Sequence, residues 1–168
     1  MLQCTATDEV IAALAASPRG LIAIDGFQAS GKSTLARSIG AALALEVISV
    51  DDFLLRNQGS FYAHLDLAKL SSAVINKPNC VVEGVCCLQV LEALRLQPTV
   101  LVYVKRMAMW GWADEDELEQ HASSGLPTEA PTDPLAVALR NLWDEVARYH
   151  TRFRPHEHAN IIYERSAA

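Results

Sequence analysis

The chain is expected to fold as a parallel α/β sheet covered by helices on both faces, and three features carry that expectation. Short apolar runs alternate with segments whose apolar residues recur at helical spacing. Several runs are continuously apolar, among them Leu21-Ile22-Ala23-Ile24 and Thr99-Val100-Leu101-Val102-Tyr103-Val104. Strands buried on both faces read this way, whereas half-exposed strands alternate. A glycine-containing turn, from Gly26 to Gly31, stands between the first of these runs and a helical segment.

Taken in order, Thr7 to Ala16 places Val10, Ile11, Leu14 and Ala15 on one helical face. Asp8 and Glu9 stand near its start, where the helix dipole favours them. Ser17-Pro18-Arg19-Gly20 ends this helix, and Leu21 to Ile24 is the first strand. After the glycine turn a helix rich in Ala and Leu runs to about Leu43. Glu46 to Val50 is the second strand, closed by Asp51-Asp52-Phe53. Leu54 to His64 mixes turn formers with aromatics and is expected to be a loop. Leu65 to Asn76 is helical by spacing, Cys80 to Val82 is the third strand, and Leu88 to Leu96 is a helix. Thr99 to Val104 forms the fourth strand, Leu135 to Phe153 a long helix with Leu139, Leu142, Trp143 and Val146 inward, and Ala159 to Tyr163 the fifth strand.

The stretch from Lys105 to Pro134 differs in composition. It holds Trp110-Gly111-Trp112, the acidic run Asp114 to Glu117, and a Ser/Gly/Pro-rich piece. Its expected structure is a mobile insertion, a short lid over the site with one short helix. The domain organisation is then one domain over 1–168, with a core of about 18–104 and 135–163 and a lid of about 105–134.

The turn after the first strand carries the most chemistry. Gly26-Phe27-Gln28-Ala29-Ser30-Gly31-Lys32-Ser33 fits G-x-x-x-x-G-K-[ST] at every required position, in strand–loop–helix context, and Thr34 continues into the helix. Glycines allow the backbone to turn tightly and to approach an anion with no Cβ in the way. Loop N–H groups and the helix N-terminus then point at phosphate oxygens. Lys32 supplies a compact charge for the β- and γ-phosphates, and the Ser33 hydroxyl is placed to ligate Mg²⁺. The site is expected to bind a nucleoside triphosphate through Gly26, Phe27, Gln28, Ala29, Ser30, Gly31, Lys32, Ser33 and Thr34.

In open parallel sheets, ligands bind outside the carboxyl ends of the strands. The residues just past four strands are Asp25-Gly26, Asp51-Asp52, Glu83-Gly84 and Lys105-Arg106. Three of these pairs carry a carboxylate, as metal-assisted phosphoryl transfer requires.

These residues resemble a known pattern. IAIDGFQASGKSTLA, then VDDF, then VVEGV in this order is similar to the uridine kinase/phosphoribulokinase branch of the P-loop kinases. Tyr149-His150, Phe153, Pro155 and Ala159-Asn160-Ile161-Ile162 are similar to that branch's closing segment, so the resemblance spans about residues 20–163. It implies a three-layer P-loop NTPase fold whose five-stranded parallel sheet has the order 2-3-1-4-5, with the first strand central. It implies an ATP-dependent kinase acting on a hydroxyl of a small molecule. Asp51 then takes the role of general base, with Asp52 adjacent to it, and Glu83 helps arrange metal and substrate. Mg²⁺ falls to Ser33, Asp51 and Glu83. Arg106 at the base of the lid, or Arg140 just past its end, is the expected cation for the transferring phosphoryl. The chain departs from the branch at Leu54, where Tyr is usual, at Asn160, where Asp is usual, and in a lid poor in arginine.

Composition bounds the partners. The 168 residues suffice for one continuous core, and 51% hydrophobic with 20% charged residues suits a compact domain. A net charge of -6 and the lack of a basic stripe argue against a nucleic-acid partner. No apolar run approaches the ~20 residues that span a bilayer, and the acidic N-terminus is unlike a signal peptide. The expectation is a cytoplasmic monomer or homodimer whose partners are ATP and a small-molecule acceptor. Cys4, Cys80, Cys86 and Cys87 lack metal or disulfide spacing and are expected to be reduced. His156-Glu157-His158 is expected to be a surface turn, and His64 a loop histidine. A regulatory P-loop protein with slow hydrolysis is the alternative reading.

Overall fold

All five apolar runs become strands of one sheet. They are β2 (Leu21–Gly26), β3 (Glu46–Ser49), β4 (Cys80–Glu83), β5 (Val100–Ala108) and β7 (Ile161–Ser166). β2 and β4 are buried along their whole length. The computed structural model describes residues 1–55, 61–115, 118 and 133–166, without the side chains of 134–136, 138 and 139. The sheet order is β3-β4-β2-β5-β7, all parallel, so the strand that feeds the glycine turn is central as expected.

Among the described residues the sheet has seven strands rather than five. β1 (Leu2–Cys4) adds a parallel strand beyond β7, with Leu2 opposite Ile161 and Cys4 opposite Tyr163. Only Cys4 of the three is buried, so no apolar run announced it. Its register comes from the free edge of β7. The other addition is β6 (Gly111–Trp112), which pairs antiparallel to β5 through Met107 opposite Trp112. The fourth strand was expected to end at Val104 with the lid beginning at Lys105. β5 instead continues to Ala108, pairing Arg106 with Arg165 and Met107 with Ser166 of β7. Hydropathy misses this extension, because it carries the charged pair Lys105-Arg106.

Side-chain alternation sorts the sheet into two cores. Ile22 and Ile24 of β2 and Val100, Val102 and Val104 of β5 face α1 (Thr7–Ala15) and α2 (Lys32–Leu43), meeting Val10, Leu14, Leu35, Ala36 and Ile39. Leu21, Ala23, Leu101 and Tyr103 point the other way, onto α3 (Leu67–Ile75), α4 (Cys87–Ala93) and α5 (Pro134–Phe153). Each such aliphatic side chain contributes about 1.5–3 kcal/mol on burial. On α5, Val146 is buried and Leu142 and Trp143 are half-buried against the core, as expected, while the Leu139 side chain lies outside the described residues.

The expected loop after β3 starts as a 3₁₀ turn, Val50–Phe53, and is pinned by an antiparallel bridge between Leu54 and Leu65. Residues 56–60 of that loop, and 116–117 and 119–132 of the expected lid, lie outside the described residues. All four cysteines are buried and free. Among the described residues no helix is long and apolar enough to cross a membrane.

Candidate active site

The phosphate loop takes its shape from three backbone positions. Gly26 has φ 149°, and a Cβ there would stand 2.6 Å from the Val104 carbonyl oxygen, so only glycine lets β2 end this close to β5. Ala29 (φ 57°) and Gly31 (φ 101°) are left-handed and turn successive N–H groups toward one side. Phe27 turns inward, 2% exposed, and stacks on His150 at 4.3 Å between ring centroids. Of the nine residues expected to hold nucleotide, Phe27 can therefore contribute only backbone. Gly31 caps α2 without any side-chain hydrogen bond, leaving the first-turn N–H groups aimed out of the helix.

These groups open into a cavity of about 540 Å³. Its floor is Gln28, Ala29, Gly31, Lys32, Ser33 and Thr34 of the loop and first turn. Asp51 and Glu83, from the ends of β3 and β4, form one side, and Leu54, Phe61, Val85 and Leu142 form an apolar wall. Arg165, from the end of β7, lies at the loop as well. Asp52 is exposed and does not line the cavity, nor does His64. Gly26 and Ser30 support the loop from behind.

Lys32 donates from Nζ to the Phe27 carbonyl at 2.5 Å. Burial lowers its pKa, while Asp25, Glu83 and Asp51 pull it back toward the charged form. The amine is thus held among three carboxylates, with a weak neutral partner that a phosphate oxygen can displace. Partial desolvation in the cavity pushes the Asp51 carboxyl up, and the like charge of Glu83 adds to this. Two carboxylates repelling one another beside the Ser33 hydroxyl are a donor set that suits a hard divalent cation. The two amide atoms of Gln28 are shielded from solvent and have no partner among the described residues.

Arg106 is placed differently from its expected role. It does not line the cavity, because its guanidinium is ion-paired at 2.5 Å with Asp114, which is 1% exposed. Trp112 packs beside this pair, with its ring 6.4 Å from Phe27 and 6.0 Å from Tyr103, while Trp110 is exposed. Sequence reasoning missed Arg165, because the last strand was ended at Tyr163. The rule that ligands gather at strand carboxyl ends was a usable signal once β7 was carried to Ser166. Glu145 was missed too: its carboxylate accepts from the N–H groups of Phe61 (2.9 Å) and Tyr62 (2.7 Å), fixing the apolar wall. His156 is half-buried against Tyr103 and Trp112 rather than on a surface turn, whereas His158 is exposed. Among the described residues no group of three or more His, Cys, Asp or Glu could hold a metal ion.

Asp25, just past the first apolar run in the sequence, is the buried hub beneath the loop. It is 0% exposed and accepts from the Gly26 N–H at 2.7 Å, from the Leu88 N–H at 3.4 Å and from the Tyr149 hydroxyl. Burial raises its pKa from 3.8 to about 6, against the pull of Tyr149, Gly26 and Lys32. The folded state therefore holds the proton more tightly than the unfolded chain does. Stability is full below the unfolded value and falls as pH rises from about 4 to about 6. Asp25→Asn is expected to remove this component, which is on the order of 3 kcal/mol. Urea midpoints measured from pH 4 to pH 7 should converge on the wild type at the acid end and exceed it at pH 7. Parallel curves would show that Asp25 is not the titrating group.

No protein-family model and no curated protein matches the sequence. Among solved structures, the chain is similar to a "possible uridine kinase" from Bacillus stearothermophilus, with a TM-score of 0.59. The two are 15% identical, and the match covers 94% of this chain and 97% of that one. The fold is that of the P-loop kinases. A shikimate kinase from Aquifex aeolicus is more remote, at 17% identity, coverage of 86% of each chain and a TM-score of 0.43. In this chain the glycine turn follows the central strand, β2, with the cavity at its carboxyl end.

Proposed function

We propose that the chain is an ATP-dependent kinase that transfers the γ-phosphoryl group of ATP to a hydroxyl of a small molecule. The observation that carries this is one cavity lined by both Lys32 and Ser33 of a complete phosphate loop and by the carboxylates Asp51 and Glu83. Loop N–H groups and Lys32 bind the triphosphate. Ser33, Asp51 and Glu83 are the residues that would hold Mg²⁺, which neutralises charge on the β- and γ-phosphates when bound. Asp51 accepts the proton of the acceptor hydroxyl, and burial with the like charge of Glu83 pushes its carboxyl up, which makes it the stronger base. Leu54, Phe61, Val85 and Leu142 seat the acceptor on a largely apolar surface and exclude water from the transfer. Catalysis is chiefly positioning and charge stabilisation, so few side chains need a direct chemical role.

The test is ADP formation from Mg·ATP across a panel of nucleosides, sugars, hydroxy acids and pantothenate-like alcohols. The expected result is ADP production that depends on one class of acceptor and yields its phosphate ester. Slow hydrolysis indifferent to every acceptor would favour a nucleotide-binding regulatory protein instead.

A further inference from the structure

We infer that Arg165 is a cation that clamps the nucleotide's phosphates, at the end of the site away from the transferring phosphoryl that was expected to meet Arg106 or Arg140. This rests on the reading of the cavity as a nucleotide site and adds to it a residue from the far edge of the sheet.

Three observations converge on Arg165. Its Nη1 donates to the Ser30 carbonyl at 3.2 Å, and the residue lines the cavity beside Gly31, Lys32, Ser33 and Thr34. A Cβ on Gly31 would stand 2.9 Å from both Cδ and Nη1 of Arg165 and 3.1 Å from Nε. The absence of a side chain at Gly31 is therefore what lets the guanidinium lie across the loop. The third observation is charge. Arg106 and Arg165 are neighbours in the β5–β7 register. Arg106 is neutralised by buried Asp114. Among the described residues Arg165 has no carboxylate within ion-pair distance, only the neutral Ser30 carbonyl. A guanidinium held over an anion-binding loop by a neutral acceptor is positioned for an anion that arrives later, since a phosphate oxygen makes the stronger, charge-assisted bond.

Topology says which ligand it meets. Asp51 and Glu83 follow β3 and β4, on one side of β2, and Arg165 ends β7, on the other. Adjacent strands lie about 4.8 Å apart, so the carboxylates and the guanidinium stand at opposite ends of the cavity. A triphosphate on the loop with its γ-phosphoryl toward Asp51 runs its remaining phosphates toward Arg165.

The experiment is calorimetric titration of wild type, Arg165→Ala and Arg165→Lys with Mg·AMP-PNP, Mg·ADP and Mg·pyrophosphate. Arg165→Ala is expected to weaken all three by about tenfold, the usual worth of a hydrogen bond to a charged group at a partly exposed site. Arg165→Lys, which keeps the charge, should recover most of that loss. The wild-type affinity should fall with added salt more steeply than that of Arg165→Ala. Unchanged affinity for all three ligands in Arg165→Ala would overturn the inference. So would a loss confined to the nucleotides with pyrophosphate unaffected, because the side chain would then meet the base or ribose. Failure of the wild type to bind any of the ligands would overturn the nucleotide reading itself and is told apart by that arm alone.

Discussion

A Lys32→Ala protein should bind Mg·ATP weakly and lose phosphoryl transfer by at least about 10²–10³-fold, the scale seen when one preorganised donor to a developing charge is removed. Lys32 is 7% exposed and stands among Asp25, Glu83 and Asp51, so its loss removes a positive charge that acts on all three. With that counter-charge gone, Asp25 should hold its proton to still higher pH, because Lys32 now favours the ionised carboxylate. The variant is expected to fold, since the amine donates its hydrogen bond to a loop carbonyl and both hydrophobic cores lie elsewhere. Lys32→Met keeps the apolar stem and serves as a shape-matched second variant. Turnover and ATP affinity should be measured on protein that keeps a cooperative urea transition. A folded Lys32→Ala with wild-type turnover would refute the site.

Asp51→Asn should lower turnover by about 10²–10⁴-fold, a larger effect than on Mg·ATP affinity, because the amide fills the same space and still offers an oxygen but cannot take the proton. The neighbouring Asp52→Asn is the internal control, since Asp52 does not line the cavity. The pH profile adds an independent reading. A base must be ionised to act, so the rate should fall as pH drops through the raised pKa of Asp51. In Asp51→Asn that acid limb should be absent, and the residual rate should be flat across it. If Asp52→Asn is the inactive variant instead, the base is the adjacent carboxylate. If both variants keep full activity, neither carboxylate is the base.

The sequence by itself determined the parts of this protein that are local in origin. Whether a run is a doubly buried strand is written in its own residues, which is why Leu21 to Ile24 and Cys80 to Val82 were legible. The turn from Gly26 to Gly31 was legible for the same reason, since its glycines permit the backbone it adopts. The position of Asp51 and Glu83 followed from one topological rule about strand ends. Tertiary structure alone decided the rest. β1 exists because β7 offers it an unpaired edge, and nothing within Leu2–Cys4 encodes that edge. Arg106 looked like the site's cation until the β5–β6 hairpin placed Asp114 against it, a contact between residues whose pairing depends on where the chain turns. Arg165 lies on the loop because two strands align in register and Gly31 leaves room, and no motif spans that separation. Asp25 reads as an ordinary turn residue, and only burial under Tyr149 and α4 makes it a hub. Charge at a site is set by which opposite charges the fold brings within a few ångströms, and a linear sequence does not carry those distances.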